Sequence, residues 1–196
     1  LRGELPEMAV VNMNYRLADE NNAPFPMQTD DITKVVNDLK AKQSEYQIGE
    51  DIGFFGISAG GHLSLLWSYT FDTANQVKMV CSFTGPTDLS APAYLNSENE
   101  VLRDLVLQFG ADIEVLKNVS PLFKVQATSP PTQLFYGGAD PLIPTSQGVE
   151  LAARLTELNV VHEFTLYPNE GHGWVGANLF DTSTKLKAFV ETHLFN

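Results

Sequence analysis

Short apolar runs alternate with longer amphipathic stretches along most of this chain of 196 residues. The apolar runs have the length of buried strands, and the stretches between them have the apolar spacing of helices. Strands that alternate with helices in this way form a mostly parallel sheet with helices on both faces, so we predict an α/β fold. The predicted strands are 8–13, 51–57, 77–83, 131–136 and 161–167, and the predicted helices are 30–46, 59–71, 98–109, 145–158 and 181–194.

The region between the third and fourth predicted strands is less regular and contains several prolines. No linker or change in composition divides the chain, and a hydrophobic fraction of 43% is sufficient for one core. We therefore predict a single domain over residues 1–196, with a small cap-like insertion at about 88–125.

The chain carries a net charge of −12. This charge argues against binding to nucleic acid, whose phosphates require a basic surface, and against an anionic membrane surface. No apolar stretch approaches the length of a membrane-spanning helix, so no membrane span is predicted. The single cysteine, Cys81, lies in the predicted strand 77–83, where we expect a buried thiol, and it excludes an internal disulfide.

Residues 56–60 read G-I-S-A-G and join a predicted strand to a predicted helix. They fit the pattern G-x-S-x-G, in which a sharp turn exposes a serine at the carboxyl end of a strand. The small residues on both sides of Ser58 are expected to permit this turn, because larger side chains would clash with the neighbouring strand or helix. Glycine and serine also occur in ordinary loops, so the pattern needs partners elsewhere in the chain.

An aspartate and a histidine follow the last two predicted strands. Asp140 comes after 131–136, and His172 comes after 161–167 with a glycine on each side. The carboxyl ends of parallel strands meet at one edge of a sheet, and the chain order Ser, Asp, His is that of the α/β-hydrolase triad. Asp88 is an alternative acid that better fits a turn, and His62 fits a packed helix residue better than a base.

These motifs resemble the α/β-hydrolase superfamily, and within it the esterase/lipase group of hormone-sensitive-lipase-like and feruloyl- or acetylxylan-esterase-like enzymes. The resemblance extends over nearly the whole chain from residue 8 onward. The segment GGHL is also similar to arylformamidases and, less closely, to prolyl-oligopeptidase-type peptidases. The matching segments are NYRLA at 14–18, PFP at 24–26, GISAGGHL at 56–63, GADPLIP at 138–144 and EGHG at 170–173.

The resemblance implies hydrolysis of short acyl or acetylated carbohydrate esters through an acyl-enzyme. Ser58 would be the nucleophile, His172 the base, and Asp140 the group that orients and stabilises the imidazole. The backbone N–H of Ala59 would contribute to the oxyanion hole. No metal or other cofactor is implied, and a small-molecule ester is the expected partner. Position alone places Trp174, Phe109 and residues 91–95 at the acyl pocket.

One motif of this group is missing from the sequence. The group supplies a second oxyanion donor from a His-Gly-Gly loop, whereas the Gly-Gly pairs here are 60–61 and 137–138, both already assigned. Loss of one such donor lowers the rate by about 10²–10³. We therefore expect a hydrolase fold without its first strands, and a catalytically impaired hydrolase-fold module is an alternative to an active esterase.

The missing strands also bear on assembly. In the full fold another strand separates 8–13 from 51–57, so we expect these two either to close up into a five-stranded sheet or to pair with another chain. The sheet near Val10, Val11 and Phe54 should then be poorly covered. A homodimer through this edge is the expected consequence.

Overall fold

A four-stranded parallel sheet, whose strands lie side by side in chain order, forms the centre of the protein. The computed structural model describes residue 3 and residues 5–195. The last two strands pair without interruption from Thr132 beside His162 to Gly137 beside Tyr167, which aligns their carboxyl ends. The strands are β1 Ile52–Ile57, β2 Val77–Phe83, β3 Thr132–Gly137 and β4 His162–Tyr167.

Helices cover both faces of this sheet, so the prediction of an α/β fold is confirmed. The side chain of Val80 in β2 packs among residues of the helices 59–70 and 146–157, whereas Met79 and Cys81 pack against the helix 176–194 on the opposite face. This alternation follows from the two-residue period of a strand. The helices are α1 Pro24–Ala41, α2 Gln43–Tyr46, α3 Ala59–Thr70, α4 Pro92–Leu95, α5 Glu100–Leu107, α6 Ile113–Asn118, α7 Ser146–Glu157 and α8 Gly176–Leu194.

The prediction of a strand at 8–13 is wrong. This segment joins no sheet, and the five-stranded arrangement with β1 does not form. A strand needs a partner for its backbone groups, and among the described residues β1 pairs with β2 only. Val10 and Val11 are 58% and 51% exposed, as expected for a poorly covered edge, whereas Phe54 packs against Trp67 of α3.

The predicted helix boundaries differ most where proline or irregular chain is involved. The helix predicted at 30–46 begins earlier, at Pro24, because proline suits the first helical turn, and it divides at Lys42. The helix predicted at 98–109 is shortened to α5 and is preceded by Asn99, whose side chain accepts a hydrogen bond from Val101 N–H. None of the helices in the described part of the chain combines the length and hydropathy that a membrane crossing needs.

Candidate active site

Ser58 lies in the turn between β1 and α3 with a strained backbone. Its φ of 54° and ψ of −119° fall in a region that residues other than glycine rarely occupy and that is frequent at functional sites. Two neighbours hold this conformation. The Ser58 N–H donates to Phe83 O over 2.8 Å, and a Cβ at Gly56 would lie 2.1 Å from Gly60 O. Glycine at position 56 is therefore required by the turn.

The second glycine of the pattern has a different role from the one expected. A Cβ at Gly60 would meet no heavy atom within 4 Å, so the expectation that packing of the turn requires a small residue there is wrong. The close approach occurs at Gly61, where a Cβ would lie 2.5 Å from Ser82 Oγ. A Cβ at Gly85, in the loop after β2, would lie 2.4 Å from the same oxygen. The start of α3 thus packs tightly on the end of β2.

The structure brings Ser58, His172 and Asp140 into one hydrogen-bonded chain. His172 Nδ1 lies 2.8 Å from Asp140 Oδ2, and His172 Nε2 lies 2.9 Å from Ser58 Oγ. A carboxylate can only accept, so Nδ1 carries the proton and Nε2 is free to accept from the Ser58 hydroxyl. This arrangement can take a proton from Ser58 when its oxygen attacks a carbonyl carbon.

The Asp140 carboxylate is fixed by the loop that carries it. Its side chain is 1% exposed, and Oδ1 accepts hydrogen bonds from the N–H groups of Leu142 and Ile143 over 2.8 and 3.0 Å. These bonds satisfy Oδ1 and leave Oδ2 directed at His172.

Backbone contacts join the loop of Asp140 to the loop of His172. Gly138 N–H donates to Tyr167 O over 2.8 Å, and Ala139 N–H donates to Glu170 O over 2.9 Å. A Cβ at Gly137 would lie 2.1 Å from Gly171 O, so a larger residue would force the two loops apart. The pairing of β3 and β4 is thus continued into the loops, which sets the distance between acid and base.

Asp88, the alternative acid, serves the turn after β2. Its Oδ1 accepts from both the N–H and the hydroxyl of Ser90, at 2.8 and 2.5 Å. The loop is further held by Gln147, which the sequence did not single out. Gln147 is buried, and its Oε1 accepts from the N–H groups of Thr87 and Asp88 over 2.7 and 2.8 Å. No sequence signal marks this glutamine, because its partners are distant along the chain.

His62 is buried one helical turn after Ser58. Its Nδ1–H donates to Pro86 O over 3.0 Å, and burial lowers its pKa to about 4 despite this bond, so the imidazole is neutral near pH 7. The His62 and Phe109 rings pack edge to face with their centroids 5.9 Å apart. Among the residues the structure describes, no cluster of His, Cys, Asp and Glu could hold a metal ion.

Ala59 is the first residue of α3, and its N–H has no acceptor within the helix. The amino end of a helix carries a partial positive charge, which here lies beside the Ser58 hydroxyl. The first turn contains no acidic side chain that would oppose this charge. This end of α3 can therefore stabilise an oxyanion that forms at Ser58.

Trp174 lies in the core beneath the His172 loop. It is 8% exposed and stacks on Phe83 with ring centroids 5.3 Å apart. Its indole N–H donates to the Thr182 hydroxyl over 2.9 Å, so its polar atom is satisfied within the protein. These contacts are those of a core side chain, and no substrate-binding role is proposed for Trp174.

Comparison with known proteins finds hydrolases of several kinds. A curated relative, the Caenorhabditis elegans protein "Dipeptidyl peptidase family member 6", is 27% identical over 135 residues, which are 63% of this chain and 17% of that protein. A truncated carbohydrate esterase from gut microbiota has a TM-score of 0.69 at 22% identity, covering 86% of this chain and 70% of its own. An acetyl ester-xyloside bifunctional hydrolase from Caldicellulosiruptor lactoaceticus has a TM-score of 0.73 at 20% identity, covering 91% and 69%.

The BD-FAE family model matches residues 5–155. This match spans most of the chain and includes Ser58 and Asp140, and it ends before His172. The solved structures share the parallel sheet and its covering helices, as their TM-scores indicate. The chain therefore belongs to the BD-FAE family, within the α/β-hydrolase superfamily.

Proposed function

We propose that this protein is a serine hydrolase that cleaves carboxylic esters with short acyl groups, including acetyl groups on carbohydrates. The observation that carries the proposal is the chain of hydrogen bonds from Asp140 through His172 to Ser58. The strained turn at Ser58 supports it, since such strain is kept where the reaction needs it. The carbohydrate substrate is suggested by the named activities of the two structural neighbours.

The reaction would proceed in two steps. As Ser58 Oγ attacks the ester carbonyl, its proton passes to His172 Nε2, and the resulting imidazolium is stabilised by the Asp140 carboxylate. His172 then gives the proton to the oxygen of the leaving alcohol, which leaves an acyl group on Ser58. In the second step His172 accepts a proton from water as the water oxygen attacks the acyl carbon. The bond to Ser58 Oγ then breaks, His172 returns the proton to this oxygen, and the acid is released.

The negative charge on the carbonyl oxygen would be stabilised by the Ala59 N–H and the amino end of α3. Each donor of this kind contributes about 10²–10³ to the rate. A covalent probe tests Ser58 and its base separately from turnover, so labelling of Ser58 combined with slow turnover would indicate a weak oxyanion site around a reactive serine.

Hydrolysis of amides is the second candidate. The nematode relative is named as a peptidase, and the segment GGHL is similar to arylformamidases. The amine of an amide is a poorer leaving group than the alcohol of an ester and must be protonated before it leaves. Amide hydrolysis therefore depends more strongly on His172 as an acid. The proposal predicts measurable cleavage of p-nitrophenyl acetate and none of the matching p-nitroacetanilide under the same conditions. Faster cleavage of the anilide would favour the amidase instead.

The proposal is tested by labelling and turnover of Ser58→Ala and Asp140→Asn. A fluorophosphonate should label the wild-type protein and not Ser58→Ala, while Asp140→Asn should fold normally and lose about 10⁴ in kcat for p-nitrophenyl acetate. Ser183→Ala is the matched control, because within the described residues this hydroxyl donates only to Leu179 O on α8. A folded wild-type protein that is not labelled, or equal labelling of Ser58→Ala, would refute the proposal.

A further inference from the structure

Two glycines flank His172, and neither packing nor backbone conformation requires them. A Cβ at Gly171 or Gly173 would meet no heavy atom within 4 Å, and neither residue has a positive φ. The facing loop differs, because a Cβ at Gly138 would lie 2.4 Å from Pro168 O. Apart from the chain neighbours of each glycine, the space that a Cβ would enter at 171 and 173 is therefore open.

The proposed reaction assigns this space to one part of the substrate. His172 Nε2 must deliver a proton to the oxygen of the leaving alcohol, so that oxygen must come within hydrogen-bonding reach of the imidazole. The His172 side chain is 25% exposed, and Gly173 beside it faces solvent. Residues 171 and 173 adjoin His172 in the chain, so an alcohol protonated by the imidazole would come close to their backbone, whereas the carbonyl oxygen would lie at the amino end of α3.

We infer that the bare backbone at Gly171 and Gly173 keeps the alcohol side of the site open to a bulky, branched leaving alcohol, such as a secondary hydroxyl of a saccharide. The two glycines then determine specificity for the size of the alcohol and not of the acyl group. This inference rests on the proposed function and deepens it. It predicts that filling the space penalises large alcohols selectively, since a rigid wall excludes groups that solvent does not.

The test compares two series of esters on Gly171→Leu, Gly173→Leu and the wild-type protein. One series keeps the acetyl group and enlarges the alcohol from ethyl through cyclohexyl to menthyl, and the other keeps ethanol and lengthens the acyl group. We expect kcat/KM for the bulky-alcohol acetates to fall about tenfold or more, with changes below about twofold for the ethyl esters. Gly49→Leu is the control, since a Cβ there also meets nothing within 4 Å.

Equal losses on both series, or no loss on either, would overturn the inference. Thermal unfolding of each variant verifies that it is folded, and the alanine variants at the same two positions replace any leucine variant that is not. A folded wild-type protein that hydrolyses no ester of either series would instead refute the proposed function, and the inference with it. The two failures are distinguished because the second appears before any variant is made.

Discussion

Two regions of the protein have irregular backbone: the pair of loops after β3 and β4, and the segment 8–18. Only the loops are held in place along their length. Backbone hydrogen bonds of 2.8 and 2.9 Å join Gly138 to Tyr167 and Ala139 to Glu170. Segment 8–18 takes no part in the sheet, and its most extensive polar contact is at Arg16, whose side chain reaches Asp31 over 2.6 Å. The pairing of two strands can thus determine the conformation of the loops that follow them. An apolar segment without a partner strand has no such pairing to determine its conformation.

The most severe test of this comparison is Gly137→Ala. The added Cβ would lie 2.1 Å from Gly171 O and 2.4 Å from Glu170 O, and both are backbone atoms that cannot rotate away. We expect loss of about 3 kcal/mol or more from the free energy of unfolding and a disrupted contact between His172 and Asp140. Urea unfolding and fluorophosphonate labelling measure the two effects.

The matched control is Gly49→Ala, whose Cβ meets nothing within 4 Å. It should change the free energy of unfolding by less than about 1 kcal/mol. Similar stabilities of the two variants would mean that the loops after β3 and β4 are not held by close backbone packing.

A smaller effect is expected on the way the free energy of unfolding depends on pH, because His62 has different pKa values in the folded and unfolded states. Burial lowers its folded pKa to about 4, below the 6.5 expected in the unfolded chain, so the unfolded state binds the proton more readily between these values. The stabilising contribution is therefore complete above about pH 6.5 and decreases as the pH falls toward 4, by about 3 kcal/mol in total.

His62→Asn should remove this part of the pH dependence, because the asparagine amide can still donate to Pro86 O but does not titrate. Urea unfolding from pH 4.5 to 8 measures the slope. The packing cost of the substitution is read at pH 8, where the wild-type imidazole is neutral in both states. An equal slope in variant and wild type would contradict burial as the cause of the shift.

The positions of the strand ends that carry the candidate site could be predicted from the sequence, because local hydrophobic patterns and the parallel topology determine them. The ends of three strands were placed within a residue or two, and strand ends in a parallel sheet meet. The convergence of Ser58, Asp140 and His172 followed from these two facts. Their catalytic roles stay a proposal.

What could not be predicted depends on contacts between distant residues. The role of Gln147 depends on the backbone of Thr87 and Asp88, which no local pattern connects to it. The pattern also assigned tight packing to Gly60 instead of Gly61, because the deciding neighbour, Ser82, lies on another strand. The strand predicted at 8–13 failed for a similar reason, since hydrophobic spacing does not indicate whether a partner strand is present.

The smallest effect is expected at the open edge beside β1, where we predict weak self-association. Val10 and Val11 are exposed together with Phe55 and Ile57 of β1, and within the described residues β1 pairs on one side only. An open strand edge of this kind is a template for pairing with another chain. Sedimentation velocity at rising concentration should show a reversible dimer that Val10→Lys weakens, because a charge on an edge opposes pairing.

Val149→Lys is the control for this variant. Val149 is 48% exposed on α7, and a lysine there makes the same change to the net charge of −12 as Val10→Lys does. If reduced repulsion alone governed association, both lysine variants would associate more strongly than the wild type. Monomers at every concentration, or equal effects of the two variants, would show that the open edge does not bind a second copy.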